Sequence, residues 1–450
     1  MKLTILGGGG FRVPLVYGAL LDDHAEGRID HVTLHDEDPA RLTAISRVLA
    51  EQARGVPDAP AVTATRDLDE ALRGADFVFS AIRVGGLQGR ADDERVALEQ
   101  GVLGQETVGA GGIAYGLRTV PVARRIARRI AELAPDAWTI NFTNPAGLVT
   151  EAMARDLGRR VIGICDSPVG LGRRLARLAG ARPGRAFVDY VGLNHLGWVR
   201  GLHVDGRDEL PRLLADTKAL ESFEEGRLFG AEWIRSLGAV PNEYLHYYYF
   251  NREAVAAYRQ AQRDGRTRGA FLRDQQAGFY AEAAREGTSA RAAWERTLAE
   301  REATYMAENR EAAGVGARDE DDLESGGYEK VALALMRAIA RDERTTLILN
   351  VPNRTTLSVL DADAVIEVPC LVDASGAHPL AAAPLPYHAV GLVTAVKAVE
   401  REVLAAAESG SRAAAVKAFA LHPLVDSAAV ARTLLDGYVE AHPGLSYLRG

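Results

Sequence analysis

Over the first 200 residues, short runs of apolar and β-branched residues alternate with amphipathic stretches. Period-two or continuous apolar patterning predicts strands at Lys2–Leu6, His31–His35, 62–65, 77–82, 138–142 and 161–164. Helical periodicity predicts helices at 14–21 and 117–133. The stretch 83–116 reads as a long loop, and such a loop is uncommon without a function. Strands alternating with helices build a parallel sheet with right-handed crossovers. Beyond about residue 188 the pattern is mixed: helices dominate 208–340, and 347–351 and 365–368 are candidate strands.

A chain of 450 residues exceeds one simple core, so two domains are expected, 1–190 and 191–450. Its net charge of −8 argues against nucleic-acid or anionic-membrane partners, which need a cationic face. No apolar run is long enough for a transmembrane helix, and Met1–Leu6 runs into glycines too soon for a signal peptide. Cys165 and Cys370 are the two cysteines; a pair does not make a disulfide framework, and a cytoplasmic location is expected. Arg124, Arg125, Arg128 and Arg129 read as a solvated helix face.

Gly7-Gly8-Gly9-Gly10 lies directly after a strand and before a helix. Glycine suits a tight turn whose backbone must approach a pyrophosphate at a helix N-terminus. The second strand ends at Asp36, where a carboxylate can take the ribose hydroxyls of NAD and would repel a 2′-phosphate. The third fingerprint glycine is missing; Arg12 or Val13 stands there. The fold class expected is α/β: an N-terminal Rossmann-type doubly wound parallel sheet, similar to the lactate and malate dehydrogenases, with a mixed α+β C-terminal domain.

Ligands in such sheets bind at the carboxyl ends of the strands. Three polar clusters fall there: Asn141-Phe142-Thr143-Asn144-Pro145, Cys165-Asp166-Ser167-Pro168 and Gly192-Leu193-Asn194-His195. Asparagine at a strand end can hold a substrate hydroxyl as both donor and acceptor. Cys165 with His195 on a neighbouring strand end points to a metal site; thiolate and imidazole suit Mn, Fe, Co, Ni or Zn. Two protein ligands hold a metal weakly, so the substrate's oxygens would complete the shell. Gly104-Gln105-Glu106-Thr107 lies in the long loop. The run Tyr244-Leu245-His246-Tyr247-Tyr248-Tyr249 holds more rings than a core needs.

On these motifs, together with Ile82-Arg83-Val84-Gly85-Gly86 and Pro241-Asn242-Glu243-Tyr244-Leu245, the sequence resembles glycoside hydrolase family 4 over nearly its whole length. These are NAD- and divalent-metal-dependent glycosidases, an exception to two-carboxylate hydrolysis. The resemblance implies that NAD takes hydride from C3 of the sugar and that the resulting ketone acidifies the C2 proton. A base then removes that proton, the aglycone leaves, water adds, and the hydride returns. It implies Tyr244 as that base, Glu106 as the residue that raises its basicity, and Asp166 as proton donor. It implies Cys165 and His195 as ligands of Mn²⁺. Gly7, Gly8, Gly9, Gly10, Phe11, Arg12, Asp36, Ile82 and Arg83 are expected to bind the cofactor. Arg90, Asn144 and Arg268 are expected to bind substrate, the arginines suiting a 6-phosphate.

Many members have a Ser-Thr pair where this chain has Gly10-Phe11-Arg12. Cys165-Asp166-Ser167-Pro168 is close to the phospho-α-glucosidase form. Asn350-Val351-Pro352-Asn353, 365–370 and the tyrosine run look like the 6-phospho-β-glucosidase branch, which is the expectation adopted. Family members usually form homodimers or homotetramers. The alternatives are a 6-phospho-α-glucosidase or a hydrolase of unphosphorylated glycosides, a 2-hydroxyacid dehydrogenase that releases NADH, and a non-catalytic NAD-binding module.

Overall fold

A computed structural model describes residues 1–315 and 327–449; part of the predicted 208–340 helical stretch, 316–326, lies outside the described residues. Six parallel strands form its first half: β1 (Lys2–Leu6), β2 (His31–His35), β3 (Ala61–Thr65), β4 (Phe77–Ser80), β5 (Trp138–Asn141) and β6 (Val161–Gly163). They lie in the order β3-β2-β1-β4-β5-β6, the doubly wound order of dinucleotide folds, with the crevice between β1 and β4. Leu3, Ile5, Leu6, Val78 and Phe79 are buried, as expected where helices cover both faces of a parallel sheet.

The sheet continues past β6 with antiparallel strands from the second half: β7 (Ala186–Leu193), β8 (Leu196–Val204), β9 (Arg207–Asp208), β10 (Val240–Pro241), β11 (Thr345–Pro352), β12 (Val365–Asp373) and β13 (Gly376–Pro379). β11 and β12 insert between β6 and β7, so one sheet runs through residues of both halves. β7 and β8 form a hairpin whose pairing closes at Leu193 and Leu196. The sequence shows Asn194-His195 as a strand end; the structure makes them the two turn residues.

The predicted loop 83–116 is a correction. Helix Gly86–Glu99 occupies its first half, and helix Gly109–Leu133 begins eight residues earlier than expected. The first helix was hidden because it buries charge: Arg90, Asp93 and Glu94 are all inside, so no apolar stripe is visible. In the second, glycines that look like breakers permit close approach. A Cβ on Gly111 would lie 2.2 Å from Gln105 O, and one on Gly112 would lie 2.5 Å from Thr107 O. The arginine face behaves as expected, with Arg124 pairing Asp156 and Glu408, and Arg129 pairing Asp69 and Glu132.

Helices of the second half fold back over the nucleotide end of the sheet. Helix Ala290–Ala303 packs on helix Pro39–Gln52, and helix Tyr328–Arg341 packs on helix Val13–Leu21. Both cysteines are free and buried. Among the described residues no helix is long and apolar enough to cross a membrane.

His422 follows helix Arg412–Leu421, where its Nδ1 accepts Leu424 N–H at 3.1 Å and burial pushes its pKa down to about 3. The native state keeps the ring neutral, whereas the unfolded chain protonates it below pH ~6.5. Its contribution to stability is therefore intact at high pH and is lost as pH falls from that value. His422→Asn retains an acceptor and loses the titration. The stability advantage of the wild type should shrink by about 1.4 kcal/mol per pH unit between pH ~6 and ~4. Urea midpoints measure this; a difference that does not move with pH removes the assignment.

Candidate active site

Gly7 turns out of β1 with φ +81°, and a Cβ there would lie 2.6 Å from Ala81 O beyond β4. Hypothetical Cβ atoms on Gly8, Gly9 and Gly10 would meet Leu34 Cβ at 2.7 Å, Arg41 Cβ at 2.7 Å and Gly7 O at 2.9 Å. Asp36 Oδ2 accepts Gly9 N–H at 3.0 Å, and its Oδ1 accepts Asp38 N–H at 3.1 Å. Three ring donors from the second half secure the turn's carbonyls: Tyr280 to Gly9, Trp294 to Phe11 and Tyr328 to Arg12. Phe11 itself packs against Phe279 and Trp294.

The turn opens onto a cavity walled by residues of both halves of the chain. Of the residues expected from sequence, Gly7, Gly10, Phe11, Arg12, Ile82, Arg83, Arg90, Glu106, Asn144, Cys165, Asp166, His195 and Tyr244 line it. Gly8, Gly9 and Asp36 stand behind the turn and do not.

Arg268 does not line the cavity either. Its guanidinium donates to Thr304 Oγ1 at 2.6 Å and to the carbonyl of Arg301 at 3.0 Å. Arg301 joins Arg12, Arg83 and Arg90 on the wall; sequence reading passed over it because it sits in a charge-rich helix that looks solvated. Burial and the like charges of Arg12 and Arg268 push its pKa down to about 9. It makes no ion pair among the described residues.

Cys165 follows β6 and is 4% exposed; burial, then Glu367 and Asp166, raise its thiol pKa. His195 holds φ +62°, a conformation costly for a residue with a side chain. Its Nδ1 lies 3.0 Å from Thr107 Oγ1, whose hydrogen goes to Gln105 Oε1 at 3.1 Å. Thr107 therefore accepts from Nδ1–H, which leaves Nε2 with its lone pair. Burial keeps the ring neutral, with a pKa of about 3.

The Tyr244 ring stacks on His195 with centroids 3.6 Å apart. Its Oη lies 3.2 Å from Tyr305 Oη, which donates to Glu243 Oε1 at 3.3 Å. Burial, followed by the charge of Glu243, raises the Tyr244 pKa well above its usual value. Among the described residues no hydrogen bond joins Glu106 to Tyr244. Its carboxylate pairs with Arg83 and Arg90, both at 2.6 Å. Burial alone would raise its pKa, but Arg83, Arg90 and Arg301 draw it down to about 2. Of the carboxylates named here, Glu243 is the one connected to Tyr244, and Ser167 Oγ also donates to it, at 2.7 Å.

Two further expectations change. Asn141 is fully buried and donates to Thr143 O, Ala146 O and Thr150 Oγ1, so it holds the loop and not a sugar. Tyr247 bonds Tyr258, Tyr248 stacks on His422 and Tyr249 accepts from Trp198; they pack the surroundings of Tyr244. Asn144 lines the cavity, and its Oδ1 is buried with no partner among the described residues.

Residues 2–181 match the model of the family 4 glycosyl hydrolases, and residues 190–425 match that of the family 4 glycosyl hydrolase C-terminal domain. The chain belongs to glycosyl hydrolase family 4. Within family 4 it is 31% identical to a Bacillus subtilis protein named "Probable 6-phospho-beta-glucosidase", over 98% of this chain and 96% of that one. It is 30% identical to the 6-phospho-alpha-glucosidase of Leptotrichia buccalis, over 98% and 97% of the two chains. A solved structure of the Thermotoga maritima 6-phospho-beta glucosidase with manganese, NAD+ and glucose-6-phosphate superposes with a TM-score of 0.81. The identity is 27%, and 98% of each chain is covered.

The family 4 cofactors fit the residues present here. The glycine turn is a cradle that any Cβ would fill, placed at the switch point of the sheet. Cys165 and His195 offer one sulfur and one imidazole nitrogen on one cavity wall, a donor set for a borderline-soft divalent cation. Among the described residues no group of three or more His, Cys, Asp or Glu could hold a metal, so a cation held by these two would need further ligands from substrate or water.

Proposed function

We propose that this protein hydrolyses 6-phospho-β-glucosides by transient oxidation of the sugar. The observation that supports it most is one cavity lined together by the glycine turn, by Cys165, His195 and Tyr244, and by Arg12, Arg90 and Arg301. When bound, NAD would accept and return a hydride at C3, and a divalent cation such as Mn²⁺ would polarise the C2 and C3 oxygens. Cys165 and His195 would hold that cation, and the neutral imidazole gives up no proton to do so. Tyr244 would remove the C2 proton, its ring held by stacking on His195 and its hydroxyl by Tyr305. Asp166, whose Oδ2 lies 3.9 Å from Arg12, would protonate the leaving oxygen. Arg90, Arg301 and Asn144 would bind the phosphorylated sugar, with Arg12 standing where relatives carry hydroxyls. Glu106 holds Arg83 and Arg90 in place on the wall.

In this reading residues 1–190 hold the dinucleotide, and 191–450 supply Tyr244 and Arg301 and the surfaces of a homodimer or homotetramer in a reducing cytoplasm. The test is a panel of 4-nitrophenyl α- and β-glucosides, each with and without 6-phosphate, assayed with NAD, Mn²⁺ and a thiol reductant. Activity is expected on the 6-phospho-β compound, lost on chelation, with no net NADH at 340 nm. Accumulating NADH would instead indicate a dehydrogenase, and turnover confined to the α compound would reassign the anomer.

A further inference from the structure

The two proposed cation ligands stand on strands that are not neighbours. Cys165 follows β6, His195 follows β7, and β11 and β12 lie between them. One row of residues crosses all four strands: Gly163 pairs with Asn350, Asn350 with Glu367, and Glu367 with Gly192. The outer members are glycines with no room for a side chain. A Cβ on Gly163 would lie 2.4 Å from Thr150 Oγ1, and one on Gly192 would lie 2.1 Å from Leu196 O. The side chains of the row are those of Asn350 and Glu367.

Glu367 is 1% exposed and has no ion-pair partner among the described residues. Its Oε1 accepts from Asn350 Nδ2 at 2.8 Å and from Asn194 Nδ2 at 3.2 Å, and its Oε2 accepts from Tyr190 Oη at 3.2 Å. A buried carboxyl held only by neutral donors is costly to fold, which marks it as a candidate for a role beyond packing. Asn194 is clamped from its other side as well, because its Oδ1 accepts Ala146 N–H at 3.2 Å. The next residue is His195, in the left-handed conformation at the tip of the β7–β8 turn. Glycine or asparagine usually takes that turn position, so a histidine there needs its neighbours to hold the backbone.

We propose that Glu367 is a positioning residue for the cation site: by clamping Asn194 it holds the strained turn that keeps His195 on the cavity wall. The proposal rests on the reading of Cys165 and His195 as cation ligands.

The experiment measures Mn²⁺ affinity of the full chain, saturated with NAD and glucose 6-phosphate so that sugar oxygens can complete the shell, by the electron paramagnetic resonance signal of free Mn²⁺, with NAD affinity measured in parallel by calorimetry. The wild type should bind Mn²⁺ and His195→Ala should lose it. Glu367→Ala should lower Mn²⁺ affinity by about 10–100-fold, the usual cost of losing an outer-shell partner, with NAD affinity unchanged. Glu367→Gln, which keeps an acceptor for Asn194 and Asn350, should restore wild-type affinity. Asn194→Ala should match Glu367→Ala, and the double variant should lose no more than either single one, because both act through one contact. Should Glu367→Ala fail to fold, Asn194→Ala and Glu367→Gln decide the matter. Wild-type Mn²⁺ affinity in Glu367→Ala or Asn194→Ala, an equal loss of NAD affinity, or a Gln variant no better than Ala would overturn the proposal alone. A wild type that binds no Mn²⁺, or a His195→Ala variant that still does, would overturn the ligand assignment and this proposal with it.

Discussion

Tyr244→Phe is expected to lower kcat by about 10²–10⁴-fold, the span ascribed to a positioned general base. The half-buried phenol stacks on His195 beside Glu243, and both desolvation and that charge favour its neutral form. It can act as a base only with a cation in the cavity to stabilise the phenolate. The variant should keep its affinity for NAD, since the glycine turn is secured by Tyr280, Trp294 and Tyr328 and not by Tyr244. Exchange of the C2 proton of the sugar with solvent deuterium should disappear with kcat. Chelation should slow the wild type strongly and slow Tyr244→Phe little further, because base and cation serve one step. Steady-state rates and proton NMR of the recovered sugar measure both; continued C2 exchange in the variant would remove Tyr244 from its role.

Arg301→Leu should move activity and stability in opposite directions. Arg301 is crowded by Arg12 and Arg268 and has no ion pair among the described residues, so its charge burdens the folded protein at neutral pH. Removing it should raise the melting temperature. A phosphate in the cavity would be its missing counter-charge. Hydrogen bonds to charged groups contribute about 1.5–3 kcal/mol, so kcat/KM for a 6-phosphoglucoside should fall roughly 10–150-fold. Turnover of the plain glucoside, if any, should be unaffected. Parallel losses on both substrates would place Arg301 outside phosphate recognition. Stability traded for a charge-binding site is common where function opposes packing.

The parts of the site that were legible are those whose chemistry is local. A glycine run between a strand and a helix and a thiol beside a carboxylate each announce themselves within a few residues. The six parallel strands were legible for the same reason, since an alternating or continuous apolar pattern over a few residues is its own signal. Helix Gly86–Glu99 was not, because its inner face carries Arg90, Asp93 and Glu94, paired with one another, with Glu106 and with Arg118, and leaves no apolar stripe. Arg301 and Glu243 escaped because a single charged residue carries no mark of what faces it. Arg301 meets Arg12, nearly 290 positions earlier, and Glu243 takes the hydroxyl of Ser167. Arg268 shows the converse: its residue type suited a phosphate, but its guanidinium is committed to Thr304 and a backbone carbonyl.

The sequence by itself determined the doubly wound half, the turn in which only glycine fits, and which sulfur, imidazole and phenol are proposed to do the chemistry. Folding decided which of these groups share a cavity. The insertion of β11 and β12 between β6 and β7 sets the Cys165 and His195 loops apart and then braces one of them through Glu367 and Asn194. Helices of the second half return to bond the carbonyls of the glycine turn and to bring Arg301 to the wall. Hydrogen bonds and Coulomb forces act over a few ångströms of space and are blind to separation along the chain. Which charge neutralises which, and which carboxyl stands behind which ligand, is therefore a property of the packed structure.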